Sequence, residues 1–588
     1  MPFTRFVSCR AFSAEYLRAR NFFCAAFVFC ACVLILASFA PAQTPTLLYN
    51  FGAHTGDPLY PFWEGIIAQG RDGNLYSTTM DGGANGWGAT FKITTGGSLS
   101  VPFSFSADGT PEGGLILGAD GNFYGTTQSG GANTVGQIFK LTPTGTLTVL
   151  YTFSGGSDGS GPFASPIQGA DGNFYGTVTS GGTGFGTVYK MTPTGTLTTL
   201  HSFASTDGAN PHAPLLLGND NNLYGTTWVG GTSGKGVMFK ITPGGAFRVL
   251  FNFDGTHGAN PNGPLVQGTD GNFYGTTTNG GIANSGVVFK ITAGGKLTVL
   301  HSLNGTGDGS QPLAGLVQAT DGNFYGSASA GGSSVCSGGC GTIFKITLPS
   351  TFSTVYSFDD SSGASPAVTM IQHTNGLLYG DAENGGSACA APGCGVFFSL
   401  NLGLNPFVSL VYTSGKIGKV VEILGQGFIG ATAVSFNGAP ATFKVASNTF
   451  LMATVPSGAT TGFVTVTTPS GTLTSNSKFR VLPFISSFTP SSGPPGTRVV
   501  ITGSGLTGTN RVAFGGVAAT TFTVNSDTQV TATVPAGAAT GRITVTTPTG
   551  SASSSASFTV TPSNCASVAT TEVWSCLDSP VKSPRSST

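Results

Sequence analysis

The stretch Asp270-Gly271-Asn272-Phe273-Tyr274-Gly275 decides the fold, because close copies of it recur from residue 45 to about residue 403. The tyrosines of these copies are Tyr76, Tyr124, Tyr175, Tyr224, Tyr274, Tyr325 and Tyr379, at spacings of 48, 51, 49, 50, 51 and 54 residues. A nearly constant period of this length indicates structural units that pack on their neighbours along the chain. The sequence therefore predicts seven repeated units.

Each unit contains four short runs of apolar and β-branched residues. In the fifth unit the runs are residues 264–267, 272–277, 287–292 and 297–303, and Asp270-Gly271, Gly280-Gly281 and Gly294-Gly295 separate them. Asp-Gly and Gly-Gly pairs permit the tight turns that join antiparallel strands. Four short strands in a unit of this length are typical of a β-propeller blade.

The two ends of the repeat array predict how the propeller closes. A lone run at residues 47–51 matches the fourth run of the other units, whereas the seventh unit has no fourth run of its own. Pairing the lone run with the seventh unit would remove both open sheet edges. We therefore expect residues 43–402 to form a seven-bladed β-propeller closed by its N-terminal strand.

A different repeat follows. Residues 403–482 and 483–561 share motifs offset by 77 to 79 residues, among them Gly425-x-Gly427-Phe428 and Gly503-x-Gly505-Leu506. A module of this length built from short alternating strands fits an Ig-like β-sandwich. The predicted fold class is all-β, with a propeller, two Ig-like sandwiches and a flexible Ser/Thr-rich tail at residues 562–588.

The N-terminal residues 1–42 have the layout of a secretory signal peptide. Four arginines precede an apolar run of 19 residues, 22–40, and Ala40-Pro41-Ala42 supplies a small-residue cleavage site. An uncleaved membrane anchor is the alternative for a run of this length. We expect an exported protein, secreted or at the cell surface, without a transmembrane domain after cleavage.

Composition and motifs narrow the function. Lys and Arg number 24 and Asp and Glu also 24, so the formal net charge is zero, and nucleic-acid binding is not expected without an excess of positive charge. The sequence has no phosphate loop, nucleophile elbow or zinc-protease helix, and it predicts no enzyme activity, cofactor or metal. His201 and His301 occupy a strand position that other units fill with aromatic residues, which indicates packing roles.

Six cysteines outside the N-terminal segment form three close pairs: Cys336 and Cys340, Cys389 and Cys394, and Cys565 and Cys576. Close pairs in an exported chain favour three local disulfides. The first two pairs fall in the same loop of units six and seven, which is longer there than in the other units. A four-cysteine zinc site between these units is an alternative with permissible spacing.

The pattern Asn-Phe-Tyr-Gly-Thr-Thr, Gly-Gly and Val-Phe-Lys-Ile-Thr, over about residues 45–402, resembles the "choice-of-anchor tandem repeat GloVer" proteins of bacteria. The second repeat resembles IPT/TIG domains, the Ig-like folds of cell-surface receptors and many bacterial exoproteins. Gly503-Ser504-Gly505, Phe514-Gly515-Gly516 and Val534 to Ala538 carry that resemblance. The two resemblances imply an exported, largely non-catalytic protein, and they assign no catalytic residue.

Charged residues recur at two fixed positions of the units, and both are missing from the seventh, which has Asn375 and Ser399 there. Alternating strand direction places the two positions at the same end of a blade. We therefore predict structural ion pairs between a lysine and an aspartate of the same or a neighbouring unit. The lysines are Lys92, Lys140, Lys190, Lys240, Lys290 and Lys345, and the aspartates are Asp72, Asp120, Asp171, Asp220, Asp270 and Asp321.

The loop between the second and third runs varies among units, while its flanks do not. Aromatic residues on such loops stack on sugar rings or anchor protein partners, and Trp87, Phe185 and Trp228 are the binding candidates. Covering neighbouring loop backbone is the alternative role for these side chains. The predicted function is binding or adhesion to a glycan or a surface protein. The rival hypotheses are a propeller hydrolase or lyase acting on extracellular polysaccharide, and an architectural cell-envelope protein without a soluble ligand.

Overall fold

The computed structural model describes residues 43–61, 65–107 and 109–562. The predicted signal peptide and the predicted Cys565–Cys576 disulfide lie outside these residues. The described part of the chain consists of strands, turns and loops, which confirms the all-β prediction. Within that part, no helix is long and apolar enough to cross a membrane.

Seven four-stranded antiparallel sheets, numbered 1 to 7 in chain order, cover the repeat region. Their first strands are Ala68–Gln69, Ile116–Leu117, Ile167–Gln168, Leu216–Leu217, Val266–Gln267, Val317–Gln318 and Ile371–Gln372. Their second strands are Leu75–Thr79, Phe123–Thr127, Phe174–Val178, Leu223–Thr226, Phe273–Thr277, Phe324–Ala328 and Leu378–Ala382. Their third strands are Ala89–Ile93, Gln137–Leu141, Thr187–Met191, Val237–Ile241, Val287–Ile291, Thr342–Thr347 and Val396–Leu400. The fourth strands of sheets 1 to 6 are Leu99–Ser104, Leu147–Thr152, Leu197–Ser202, Phe247–Asn252, Leu297–Ser302 and Thr351–Ser357.

The N-terminal strand Thr46–Asn50 is the fourth strand of sheet 7. It pairs antiparallel with the third strand, and Asn50 lies opposite Val396. Its register shifts between Leu47 and Tyr49, and the fourth strand of sheet 5 shows the same irregularity in its pairing with the third. The N-terminal strand thus takes the place of the fourth strand that the seventh unit lacks in sequence.

The marker motif packs each sheet against the next one. The ring of Tyr274 stacks on Phe324 of sheet 6 with ring centroids 4.1 Å apart, and both rings are buried. The glycine after the tyrosine makes room for the third strand, because a Cβ at Gly275 would lie 2.7 Å from Cζ of Phe289. The motif therefore recurs because its aromatic ring and its glycine each fit a contact within or between sheets.

A backbone clasp joins neighbouring sheets on the side where the second strand leads to the third. Between sheets 3 and 4, the N–H of Asn210 donates to the carbonyl of Phe185 at 3.0 Å, and the carbonyl of Asn210 accepts from the N–H of Trp228 at 2.9 Å. Asn210 has a φ of 52°, a left-handed conformation that asparagine tolerates better than most residues. The clasp uses main-chain atoms only.

Sheets 7 and 1 are joined in the same way. The N–H of Tyr60 donates to the carbonyl of Cys394 at 3.1 Å, and the N–H of Met80 donates to the carbonyl of Tyr60 at 3.2 Å. On the other side of the sheets, the Gln69 side chain accepts a hydrogen bond from the N–H of Thr374 at 3.1 Å. Equivalent glutamine contacts join four other pairs of adjacent sheets.

Each Ig-like domain is a sandwich of a four-stranded and a five-stranded sheet. The strands of the first domain are Ser409–Leu410, Val420–Leu424, Phe450–Thr454 and Phe443–Val445, and Ser414–Gly415, Gly471–Val481, Gly462–Thr468, Ala433–Phe436 and Ala439–Pro440. Those of the second are Phe484–Thr489, Arg498–Ser504, Gln529–Thr533 and Phe522–Ser526, and Ser492–Gly493, Gly550–Val560, Gly541–Thr547, Arg511–Phe514 and Val517–Ala518. Pro58–Leu59 and Asp81–Gly82 form a separate two-stranded ribbon.

The chain divides into two compact units between residues 481 and 482. The seven sheets and the first Ig-like domain therefore belong to one unit, although the repeat boundary at residue 402 suggested separate domains. The second unit contains the second Ig-like domain, whose core includes Ile501, Phe514 and Phe558.

Replacing Phe51 by alanine tests the contribution of the N-terminal segment. Phe51 is fully buried, and its ring packs 5.3 Å from that of Phe91 in sheet 1. We expect Phe51→Ala to lower the free energy of unfolding by about 3–5 kcal/mol in urea denaturation. Leu47→Ala, on the exposed part of the same segment, is the control and should cost less than about 1 kcal/mol. Equal losses for both variants would contradict a specific role of the Phe51 contact.

Candidate binding surface

The marker turns form one end of the sheets, which we call the turn side. In sheet 5 the Asp270 carboxylate accepts hydrogen bonds from the backbone and side chain of Asn272, from the Tyr274 hydroxyl and from Nζ of Lys290 at 2.8 Å. Burial acts to raise the pKa of Asp270, but these donors outweigh it and hold the pKa well below its usual value. Burial and the neighbouring carboxylate raise the pKa of Tyr274 to about 12.

Four of the six predicted ion pairs form, each within one sheet. The Nζ-to-carboxylate distances are 2.8 Å for Lys92–Asp72, 3.2 Å for Lys190–Asp171, 2.7 Å for Lys240–Asp220 and 2.8 Å for Lys290–Asp270. Among the described residues, Lys140 forms no direct ion pair with Asp120, and Lys345 forms none with Asp321. Burial acts to raise the pKa of Asp120, but hydrogen bonds from Asn122 and Tyr124 and the charge of Lys140 lower it. Both aspartates keep their asparagine and tyrosine donors, so the turn forms without the lysine.

The turn of sheet 7 is buried, which accounts for the loss of both charges. His373 and Thr374 are almost completely inaccessible, and the carbonyl of Thr374 accepts a hydrogen bond from the N–H of Phe407 at 3.1 Å. The Asn375 side chain donates to the Tyr379 hydroxyl at 2.8 Å, replacing the acceptor role of the aspartate by a neutral contact. A buried ion pair at this turn would carry a desolvation penalty.

The first Ig-like domain covers the turn side. Arg71, in the turn of sheet 1, forms a bidentate pair with Glu422 at 2.6 and 3.1 Å. Burial raises the pKa of Glu422, and the Arg71 guanidinium opposes that rise. Arg71 also lies over the Phe450 ring, with its Cζ 4.8 Å from the centroid. The other six turns have uncharged residues at the Arg71 position, so this exception was a sequence signal for the contact.

Further contacts spread the first Ig-like domain over several sheets. Gln426 donates to the Thr374 hydroxyl of sheet 7, Tyr412 donates to the Gln168 side chain of sheet 3, and Arg480 donates to the carbonyl of Asn219 in sheet 4. First strands of sheets 1, 2, 6 and 7 line a cavity of about 320 Å³ together with Leu410 and Leu424 of the Ig-like domain. The Ig-like domain therefore lies over the place where these first strands converge.

The opposite end of the sheets, the loop side, consists of the loops between second and third strands and the segments leading into each first strand. Trp87 and Phe185 lie on these loops and are 47% and 38% exposed. Trp228 is only partly exposed. Phe185 and Trp228 are neighbours, because both contact the clasp residue Asn210, whereas Trp87 belongs to the loop of sheet 1.

An aromatic stack, which the sequence reasoning did not predict, supports Trp228. The His212 ring is stacked with Trp228 at a centroid distance of 5.4 Å and with Phe163 of sheet 3 at 4.9 Å, with interplanar angles of 8° and 2°. Nδ1 of His212 lies 3.2 Å from the Asn262 side-chain oxygen in sheet 5. Phe163, His212 and Asn262 each follow a proline in the segment before a first strand, and this shared position was the available sequence signal.

Two disulfides, Cys336–Cys340 and Cys389–Cys394, form in the loops of sheets 6 and 7, which confirms this prediction for the described cysteines. The described residues contain no cluster of three or more metal-ligating side chains. The loop containing Cys389 packs on the turn after the N-terminal strand, since a Cβ at Gly52 would lie 2.8 Å from the Cys389 sulfur. The paired cysteines therefore serve as local staples of the loop side.

His201 and His301 lie in packing positions. His201 stacks on Phe247 with centroids 3.8 Å apart, and His301 stacks on Phe352 at the same distance. His201 also lies 3.1 Å from the carboxylate of Asp207, and burial is the main cause that lowers its pKa. Each histidine thus joins the fourth strands of two neighbouring sheets.

Asp381 is an exception among the second strands. It occupies the position of Thr276 in sheet 5, whose hydroxyl donates to the carbonyl of Ala314 in the next sheet at 2.8 Å. Asp381 is buried, and neither of its carboxylate oxygens has a hydrogen-bond partner among the described residues. Burial raises the pKa of Asp381 well above its usual value, because the charged form loses its solvation in the interior.

The fold and the two faces define a class: a repeat protein of four-stranded, propeller-type sheets that carries Ig-like domains. The sequence matches the Gloeobacter/Verrucomicrobia repeat over residues 36–237 and 215–426, and the chain belongs to this family. Residues 406–481 and 483–561 match the IPT/TIG domain. These matches confirm both resemblances found in the sequence.

No curated protein matches the chain. Among solved structures, a streptogramin B lyase is 18% identical, with 59% of this chain and 97% of that one covered and a TM-score of 0.40. A fungal alcohol oxidase of the AA5 family, in complex with copper, is 15% identical, with 75% and 99% covered and a TM-score of 0.43. SGBP-B from a xyloglucan utilization locus of Bacteroides uniformis is 20% identical, with 26% and 48% covered and a TM-score of 0.15. Likeness at this level carries no inference about function.

Replacing Arg71 by alanine tests the contact between the first Ig-like domain and the sheets. The change leaves the partly buried Glu422 carboxylate without its cation. We therefore expect the free energy of unfolding to fall by about 2–3 kcal/mol. Hydrogen exchange of the Phe407 amide, which bonds to Thr374, should become faster. Arg248→Ala, an exposed arginine on a fourth strand, is the control and should leave that exchange unchanged. Unaltered protection of Phe407 in Arg71→Ala would show that the contact does not depend on the ion pair.

Replacing Asp381 by threonine, the residue of the equivalent positions in sheets 1 to 5, should stabilise the protein. The pKa of Asp381 is higher in the folded protein than in the unfolded chain. Above about pH 4 the unfolded chain releases the Asp381 proton while the folded protein retains it, so the destabilisation by Asp381 grows as the pH rises. We expect Asp381→Thr to raise the free energy of unfolding by about 1–3 kcal/mol at pH 7, and by less at pH 4, in urea denaturation. The reverse change in sheet 5, Thr276→Asp, should destabilise at pH 7. A destabilised Asp381→Thr would indicate that the acid has a partner it needs.

Proposed function

We propose that the seven sheets are the blades of one closed seven-bladed propeller, and that the protein is an exported, non-catalytic binding protein whose loop side engages its partner. Support for closure comes from the junction of sheets 7 and 1. The strand Thr46–Asn50 completes sheet 7, and the Tyr60 clasp and the Gln69 contact repeat those of consecutive sheets. In a closed ring every blade has four strands and packs on a neighbour on both sides.

The observation that supports the proposal most directly is that the first Ig-like domain covers the turn side. Arg71 of sheet 1, Gln168 of sheet 3 and Asn219 of sheet 4 all contact the first Ig-like domain. The turns of several sheets are therefore occupied by contacts with this domain. The loop side is the end of the sheets that the first Ig-like domain does not cover.

The loop side has the properties of a recognition surface. Main-chain clasps fix its loops, so binding would cost little ordering entropy. Its sequence differs from unit to unit, and it exposes the aromatic side chains of Trp87 and Phe185. Rigid aromatic groups supply large contact areas with few rotatable bonds. Export agrees with the disulfides Cys336–Cys340 and Cys389–Cys394, which persist in oxidising compartments.

A binding assay with the chain from residue 43 onward tests this function. The labelled protein is applied to a glycan array and to intact bacterial cell surfaces, and release of reducing sugar is followed in parallel. We expect binding without sugar release, and about a tenfold loss of binding in the double variant Trp87→Ser and Phe185→Ser. Val149→Ser, which changes an equally exposed apolar residue on a fourth strand, is the matched control.

Three results would contradict the proposal. Sugar release would make the protein an enzyme. Equal loss in the Val149 control would remove the loop side from recognition. Absence of binding to every glycan and surface would favour the architectural role.

A further inference from the structure

The loop side is not uniform around the sheets. Phe185 of sheet 3, which is exposed, and Trp228 of sheet 4, which is partly exposed, are joined through main-chain hydrogen bonds to Asn210. At the position of Trp228, sheets 6 and 7 have Ser329 and Glu383, and their loops contain the disulfides. In the sector of sheets 3 to 5, two adjacent loops therefore carry aromatic residues that reach the surface.

The ring of Trp228 is supported by an aromatic stack. It stacks with His212, which stacks with Phe163, and the three planes are nearly parallel. His212 is in turn within hydrogen-bond distance of the Asn262 side chain. A stacked and hydrogen-bonded support limits rotation of the indole, so a ligand that packs on it meets an organised surface.

Carboxamide groups flank this aromatic pair. The Asn260 side chain donates to the carbonyl of Trp228 at 3.0 Å and accepts from the Asn279 side chain at 3.2 Å. A carboxamide has two N–H donors and two acceptor positions, so Asn260 has one of each left after these bonds. Asn210, Asn260 and Asn279 are all partly exposed. The sector thus combines flat apolar rings with uncharged groups that both donate and accept.

We propose that the loop side of sheets 3 to 5 is a carbohydrate-binding subsite that takes a neutral polysaccharide. The C–H face of a pyranose ring packs on Trp228 or Phe185, and hydroxyl groups, which also donate and accept, pair with the carboxamides of Asn210, Asn260 and Asn279. The proposal rests on the proposed function, because it needs the loop side to be the binding side. It adds the ligand class and the sector.

Affinity electrophoresis of the chain from residue 43 onward tests the proposal, with gels that contain xyloglucan, mixed-linkage β-glucan, galactomannan, arabinoxylan or galactan. We expect retardation by at least one of these polymers. Phe185→Ala and Trp228→Ala should each weaken binding about tenfold, and Asn279→Ala about threefold. Trp87→Ala reports whether binding extends beyond the sector, and Val149→Ala, which changes an exposed apolar residue on a fourth strand, is the matched control and should change binding less than about twofold.

The variants keep the test independent of folding. Phe185 is exposed, so its replacement does not disturb the core, and Trp228→Phe keeps a stacking ring on His212 if Trp228→Ala unfolds. Thermal unfolding of every variant is measured alongside binding.

Each outcome separates this proposal from the proposed function. Loss of binding in Trp87→Ala with retention in Phe185→Ala and Trp228→Ala overturns the sector but keeps the loop side. Retention in all loop-side variants overturns both. Binding to a cell-surface protein through Phe185 and Trp228, with no retardation by any polysaccharide, overturns the ligand class and keeps the proposed function.

Discussion

The pairing of the strand Thr46–Asn50 with Val396–Leu400 is the constraint on which the repeat region depends. It joins residues far apart in sequence, so its loop-closure entropy is among the largest in the chain. The contacts that offset this cost are the same as those between consecutive sheets: the Tyr60 clasp and the Gln69 side chain. Phe51 then brings the N-terminal segment into the core with Phe91. A single N-terminal strand thus determines whether sheet 7 has its fourth strand.

Much of the fold was predictable because its rules are local and repeated. The period of the marker tyrosines gave the sheets, and the four runs of the fifth unit match strands in the structure to within two residues. Short cysteine spacings gave both described disulfides, because a bridge over four or five residues needs no knowledge of distant parts. Four Lys–Asp pairs form because both residues sit at one end of one sheet.

What could not be predicted depends on contacts between different kinds of unit. The pair Arg71–Glu422 joins a repeat to an Ig-like domain. The exceptional charge of Arg71 among the turns signals a contact, but the sequence does not identify Glu422 as its partner. The stack of Phe163, His212 and Trp228 was missed because its members come from two units and two different loop positions. Lys140 and Lys345 show the reverse limit: a lysine can recur without its ion pair, and the asparagine and tyrosine donors to the aspartate are the same in sheets with and without that pair.

The clasps have a consequence for how the surface can change. Because they connect main-chain groups, the side chains at Phe185 and at its counterparts Val135, Lys235 and Ser285 are not needed to hold the loops. The clasps instead require a left-handed backbone conformation at the residues that pair with these loops, such as Asn210 and Asn260, whose φ angles are 52° and 57°. Substitutions can therefore accumulate at the loop tips while the framework keeps its shape. The repeat region could serve as a scaffold for randomised libraries, in which new specificities would be selected at the loop tips without redesigning the sheets beneath them.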